Sequence, residues 1–263
     1  MTQNSFNNKT APRAVITTLL LSAWISPLWA APVDDAINKA GKQRMITQRL
    51  LKDYAMIGMN LDLGNPGKDL EDMVKEFDTI LADLEAYSNK QNINTGLAEI
   101  KSLWGPLKKV LQDTPDRAKA AQLQKDLDDL LAACHKNTQL LSEHSGNQRG
   151  EIVDLAGRQR MLSQRMAALY MLKAWKIEGV DYSGKLSQSI SEFASAHQQL
   201  VESSLTTTEI QQLLTRVKKA FAWFEMMGHS KSGRVIPSLI NKSANNILAD
   251  MDKVTSMYAS ASK

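Results

Sequence analysis

Apolar residues recur at intervals of three and four along almost the whole chain, and turn residues cluster where that pattern breaks. Leu70, Met73, Val74, Phe77, Ile80, Leu81, Leu84 and Tyr87 make one such stripe, the spacing that gathers side chains on one face of an α-helix. A helix is predicted before it over residues 34–63, stopped by Gly64-Asn65-Pro66-Gly67. After it, residues 92–96 read as a loop and residues 97–112 as a third helix, bent at Gly105-Pro106. Thr114-Pro115-Asp116 is a helix start, and the fourth helix runs to Ser145. The same plan then returns: helices over residues 151–178, 185–203 and 209–227, and a last one starting near Ile236-Pro237.

The repetition extends to residue identity. Ala40-Gly41-Lys42-Gln43-Arg44-Met45-Ile46-Thr47-Gln48-Arg49 comes back 116 residues later as Ala156-Gly157-Arg158-Gln159-Arg160-Met161-Leu162-Ser163-Gln164-Arg165, with seven of ten positions identical. Glu76-Phe77 and Glu192-Phe193 keep the same offset. A fixed internal period marks a duplicated structural unit. The prediction is therefore an all-α protein of two tandem four-helix bundles related by pseudo-two-fold symmetry, residues 31–146 and 147–263. Composition agrees, with 6% aromatic residues, 13 Gly and 7 Pro against 43% apolar residues, enough for two packed cores.

Residues 1–30 fall outside that plan. Lys9 and Arg13 precede an apolar run over residues 14–25, too short to span a bilayer comfortably, and Ala30 offers a small residue for cleavage. The segment reads as a cleaved secretory signal, with an uncleaved anchor as the alternative, and places the protein in the periplasm. Without residues 1–30 the net charge falls from +4 to +2. With no basic patch interleaved with aromatics, that excess does not point to nucleic acid. Cys134 is the only cysteine and lies in an apolar stripe, so it reads as a buried thiol and rules out an intramolecular disulfide.

The repeated motif carries the candidate chemistry. At about 100° per residue, Gly41, Arg44, Gln48 and Lys52 share one helix face, as do Gly157, Arg160, Gln164 and Ala168. A glycine costs a helix about 1 kcal/mol relative to alanine, so its double appearance implies close approach of another helix or a ligand. Packing the two motif helices across the pseudo-two-fold axis brings Arg44 and Arg160 together. Two guanidiniums buried without partners would cost several kcal/mol, and a small planar oxyanion between them would remove that cost, with Gln48 and Gln164 adding neutral donors. The competing reading is scaffolding, with the arginines paired to nearby acids such as Asp34, Asp35, Glu151 and Asp154. Arg49 and Arg165 point to another side and read as structural.

Other chemistry is poorly represented. His135, His144, His197 and His229 lack metal-ligand spacing, the Met56/Met59 and Met226/Met227 groups fit core packing, and no nucleophile elbow, phosphate loop or catalytic carboxylate pair is recognisable. Neither an enzyme nor a cofactor or metal is expected.

The run Asp35-Ala36-Ile37-Asn38-Lys39-Ala40-Gly41-Lys42-Gln43-Arg44-Met45 resembles the periplasmic P-box of nitrate/nitrite sensor kinases and the opening helix of PilJ-type ligand-binding domains of chemoreceptors. In that family two protomers bring their P-box helices together around one nitrate. The resemblance implies Gly41 and Arg44 from one copy and Gly157 and Arg160 from the other as the ligand site, with the dimer fused into one chain. Sensor kinases and chemoreceptors carry flanking membrane helices and a cytoplasmic output module, neither of which is recognisable here. The reading is thus a periplasmic binding or sensor protein for nitrate or nitrite that signals through a separate membrane-bound receptor. A helical adaptor for such a receptor, a kinase or a pilus-associated system, without a small-molecule ligand, is the alternative.

Overall fold

Eight α-helices are found among the described residues: α1 (Val33–Gly58), α2 (Pro66–Tyr87), α3 (Gln91–Gln112), α4 (Ala120–Ser145), α5 (Gln148–Ala174), α6 (Tyr182–Glu202), α7 (Thr208–His229) and α8 (Pro237–Ser260). They come from a computed structural model that describes residues 1–2, 33–88, 90–229 and 236–260. The signal-peptide expectation for residues 1–30 falls almost wholly outside that set. No described helix is long and apolar enough to cross a membrane.

Local signals set the helix ends. Asn65, at φ 59°, accepts from the Lys68 N–H and Pro66 opens α2, while Asn147 accepts from the Gly150 N–H to start α5. Two ends come earlier than the apolar pattern predicts, and by one mechanism. Asn60 (φ 55°) and Lys176 (φ 57°) turn left-handed. Leu61 N then bonds Met56 O at 2.9 Å, and Ile177 N bonds Leu172 O at 3.1 Å. This is the Schellman closure, placed identically in the two copies, and it stops α1 at Gly58 and α5 at Ala174. The loop expected at residues 92–96 is instead the first part of α3. Ile93, Leu97 and Ile100 are all buried, so the apolar stripe begins earlier and the intervening polar residues face outward. That helix continues unbroken through Pro106.

Helices α1–α4 pack in a ring in which each touches the next and α4 returns to α1; α5–α8 do the same. The largest contact of all joins α1 to α5, with smaller ones between α4 and α5 and between α1 and α8. Residues 31–263 consequently form one compact unit. The helices α1 and α5 form the seam where the two rings meet and are buried on almost every side, although their mean composition is polar. Those inward polar residues are where function is to be sought, because burial of such groups is costly unless each finds a partner.

Near their other ends α1 and α5 meet again. A Cβ on Gly58 would lie 2.2 Å from the Trp175 ring, which also packs edge-on against Tyr54 with centroids 6.1 Å apart. Since Gly41 faces Gly157 near the starts of these helices and Gly58 faces Trp175 near their ends, the two run parallel. Gly58→Ala overfills this contact and should lower stability by about 1–3 kcal/mol, despite the better helix former; an unchanged midpoint in thermal unfolding would contradict the packing. Cys134 is buried, and burial pushes its thiol up to about 12, which leaves it protonated and inert.

Candidate functional site at the helix crossing

Helices α1 and α5 approach each other closely at the two motif glycines. A Cβ on Gly41 would lie 3.7 Å from the Gly157 Cα and only 3.2 Å from Nη2 of both Arg44 and Arg160, and Gly157 gives the mirror result. Absence of both side chains therefore makes room for two guanidiniums side by side over the crossing. Both arginines are almost completely buried, at 0% and 2% exposure.

Each arginine reaches across the axis to the other copy. Arg44 Nη2 donates to the Asp154 carbonyl at 3.2 Å, and Arg160 Nη2 donates to the Asn38 carbonyl at 3.2 Å. Asn38 and Asp154 are themselves 116 residues apart. Such an exchange, where one half gives what it receives, is the signature of a two-fold arrangement.

The expectation of guanidiniums without partners needs correction: each has a carboxylate. Arg44 Nη2 lies 2.6 Å from Asp154 Oδ1, close in distance but off the hydrogen-bonding direction, since that oxygen has no partner of proper geometry. Arg160 Nη1 donates to Asp252 Oδ1 at 3.0 Å. The physical reason is desolvation: a guanidinium in a dry helix interface cannot be left uncompensated, and the fold supplies acids from α5 and α8. Burial pulls the Arg160 guanidinium down from its ordinary value and Asp252 opposes this; an arginine remains charged regardless.

The copies differ in how they do it. Arg44 Nη1 stands 3.0 Å from His135 Nδ1 on α4, at the place where Asp252 serves Arg160 on α8. Because a guanidinium has only donors, Nδ1 must accept, which fixes His135 as the neutral tautomer protonated on Nε2. Burial first, and Arg44 second, hold this histidine below its ordinary value. Two arginines thus face two aspartates and one neutral histidine. Outside them Lys42 pairs with Glu76, and Arg158 with Glu192 at 3.0 Å, again at equivalent positions.

Gln48 and Gln164 do not join the arginines. Gln48 Nε2 donates to Thr47 Oγ1 at 3.2 Å, and Gln164 Nε2 donates to the Ala244 carbonyl at 3.1 Å. One helical turn carries them past the crossing into the ring interiors. Arg49 and Arg165 are structural, as their direction implied: Arg49 pairs with Asp69 at 2.7 Å and Arg165 with Asp128 at 2.7 Å. The motif alone did not disclose Asn38, His135 and Asp252. The internal period could have, because 38 and 154 share one offset and 135 and 252 nearly share it.

A second buried charge cluster belongs to the first copy alone. Lys52 and Asp53 are both 0% exposed. Lys52 Nζ donates to Asn245 Oδ1 on α8 at 3.0 Å and lies 3.6 Å from Asp53, and neither Asp53 oxygen has a hydrogen-bond donor. Burial raises the Asp53 carboxyl to about 6, against the pull of Lys52 and Arg49, and burial lowers the Lys52 amine. A carboxyl raised on folding holds its proton more tightly in the native state. Its contribution to stability is greatest below its unfolded value near 4 and falls as pH rises towards 6. Relative to Asp53→Asn, the natural protein should therefore gain stability when pH drops from 7 to 4; a constant difference in chemical denaturation across that range would refute the assignment.

Two segments of the chain, residues 32–131 and 143–226, match the model of the PilJ family, described as the N-terminal region of type IV pili methyl-accepting chemotaxis transducers. Both motif arginines and both motif glycines lie inside the matched segments, whereas His135 and Asp252 lie outside them. No curated protein and no solved structure matches the chain. The two matched segments fall one in each ring of helices and together cover most of its length, and the chain belongs to the PilJ family.

Proposed function

We propose that this chain is a sensory module of the chemotaxis-transducer type whose responsive element is the α1–α5 crossing, and that its ligand is a small planar oxyanion, nitrate first and nitrite second. One observation carries the reading: two buried guanidiniums, one from each repeat, converge over a crossing that two glycines keep open. The local charge is balanced, so an anion enters by competing with Asp154 and Asp252 for the arginines rather than by filling an uncompensated pair. Competition of this kind is a switch in principle, since displacing an aspartate frees α8 or α5 to shift against its neighbour. Export through residues 1–30 to the periplasm, and read-out by a separate membrane-bound receptor, complete the proposal. Chemistry on a substrate forms no part of it.

The acid partners favour one further reading, a helical adaptor in which Arg44–Asp154 and Arg160–Asp252 are scaffolding and no ligand binds. Calorimetric titration of nitrate, nitrite and chloride into the full chain separates the two. The sensor predicts saturable binding near one nitrate per chain, lost in Arg44→Ala with helicity retained, and strengthened about ten-fold or more in Asp252→Asn because the internal competitor is gone. No heat from the natural protein and none from Asp252→Asn would leave the adaptor.

A further inference from the structure

A cleft of about 370 Å³ opens between the two copies beside Arg160, lined by Asn38 and Lys42 of α1, Glu76 of α2, Arg160 of α5, and Asp252 and Ser256 of α8. Two residues of its lining carry unfilled hydrogen-bonding atoms of opposite kind. Arg160 Nε is a buried donor without an acceptor, and Asn38 Oδ1 is a buried acceptor without a donor. Buried polar atoms are seldom left in this condition, and two of them on residues that line one cleft point to a group that supplies both complements.

The charges around the cleft alternate. Lys39, Lys42 and Arg160 are cationic, and Glu76 and Asp252 anionic, with Lys39 already held by Asp35 at 3.3 Å and Asp83 at 3.0 Å outside the cleft. A simple anion gains little net attraction from such a ring, whereas a solute with a carboxylate and an ammonium on one carbon finds a complement at each end. Asn38 Oδ1 needs an N–H, which an ammonium offers and a quaternary nitrogen does not. The free atoms are shut off from water, so the ligand reaches them by a turn of the Lys42 and Glu76 side chains, which are 34% and 30% exposed. Across the axis Arg44 Nε and Asp154 Oδ1 are likewise without partners, but there Asp154 replaces the amide of Asn38 with a carboxylate that lies against Arg44 and already offsets its charge.

We infer that this cleft is a binding site for an α-amino acid, one per chain, with the carboxylate at Arg160 and Lys42 and the ammonium at Asn38, Asp252 and Glu76. The site is separate from the proposed oxyanion position on the crossing, although Arg160 borders both, and it does not depend on that reading. The test is thermal-shift screening of the full chain with each of the twenty standard L-amino acids, then calorimetry of the strongest, with glycine betaine and nitrate alongside. At least one amino acid should bind saturably at one per chain, and glycine betaine should not bind. Asn38→Asp, which copies Asp154, should leave the protein folded, place a carboxylate against Arg160, and weaken the amino acid at least ten-fold; nitrate, which competes with carboxylates for the arginines, should weaken as well. Asp252→Asn should weaken the amino acid and strengthen nitrate, so the two readings fail independently. No response to any of the twenty, equal binding of glycine betaine, or an amino acid bound as well by Asn38→Asp as by the natural protein would each overturn the inference.

Discussion

Asp252→Asn is expected to lower the unfolding midpoint of the anion-free protein by about 4–8 °C, the equivalent of about 2 kcal/mol for a chain of this size. The substitution keeps the shape of the side chain and removes the charge, so Arg160 remains 2% exposed with no carboxylate against it. Breaking a fully buried ion pair costs roughly 3–5 kcal/mol. The smaller figure here follows from Asp252 itself, which is 42% exposed and partly solvated before the change. Under the oxyanion reading, nitrate restores much of the loss, because a bound anion replaces the missing counter-charge and stabilises only the folded form. Differential scanning with and without nitrate, with chloride at equal ionic strength as the reference, reads both parts. A loss that chloride and nitrate repair equally would reflect general screening, and the site would lose its claim to selectivity.

Replacing the Lys52–Asp53 pair by Ala and Leu together is expected to stabilise the protein, by about 1–4 kcal/mol. Ala168 and Leu169 stand at the equivalent positions of the second copy, both buried, so the surrounding architecture has already accommodated that pair once. Asp53→Leu alone should do the opposite and cost about 3 kcal/mol, since it leaves the Lys52 amine buried with Asn245 as its remaining short contact. The contrast in sign between the single and the double substitution is the check, read from chemical denaturation at pH 7. If both destabilise, the cluster contributes more than its pairwise charges, through Asn245 and the register of α1 against α8. Asn245 is the uncharged counterpart of Asp128, whose carboxylate binds Arg165 across the α4–α5 contact.

The helical class and the duplication were legible because both are written in local periodicity: apolar spacing along Leu70 to Tyr87, and the 116-residue return of Gly41 and Arg44 at Gly157 and Arg160. Convergence of those arginines also followed, since a glycine repeated on a buried face implies close contact. What did not follow was anything decided by the angle between helices. Gln48 lies on the same face as Arg44, yet one turn suffices to take it from the crossing into the ring, where Thr47 receives its hydrogen bond. Asp252 lies 92 residues from Arg160 and His135 lies 91 from Arg44; no local pattern names a counter-ion so distant. The helix ends failed for another reason: Asn60 and Lys176 adopt a left-handed turn that apolar spacing cannot foresee.

The parallel contact between α1 and α5 lies within a single polypeptide, joined through α2, α3 and α4. Tethering makes the encounter of the two helices intramolecular, at an effective concentration of the order of millimolar or above. Dilution therefore cannot separate the halves, and occupancy of any site between them depends on ligand alone. Joining also frees each half to mutate without its counterpart following, which a symmetric pair of identical chains can never do. Asn38 opposite Asp154, and His135 opposite Asp252, are what that freedom looks like in atoms: one axis, two faces, and room for each to recognise something different.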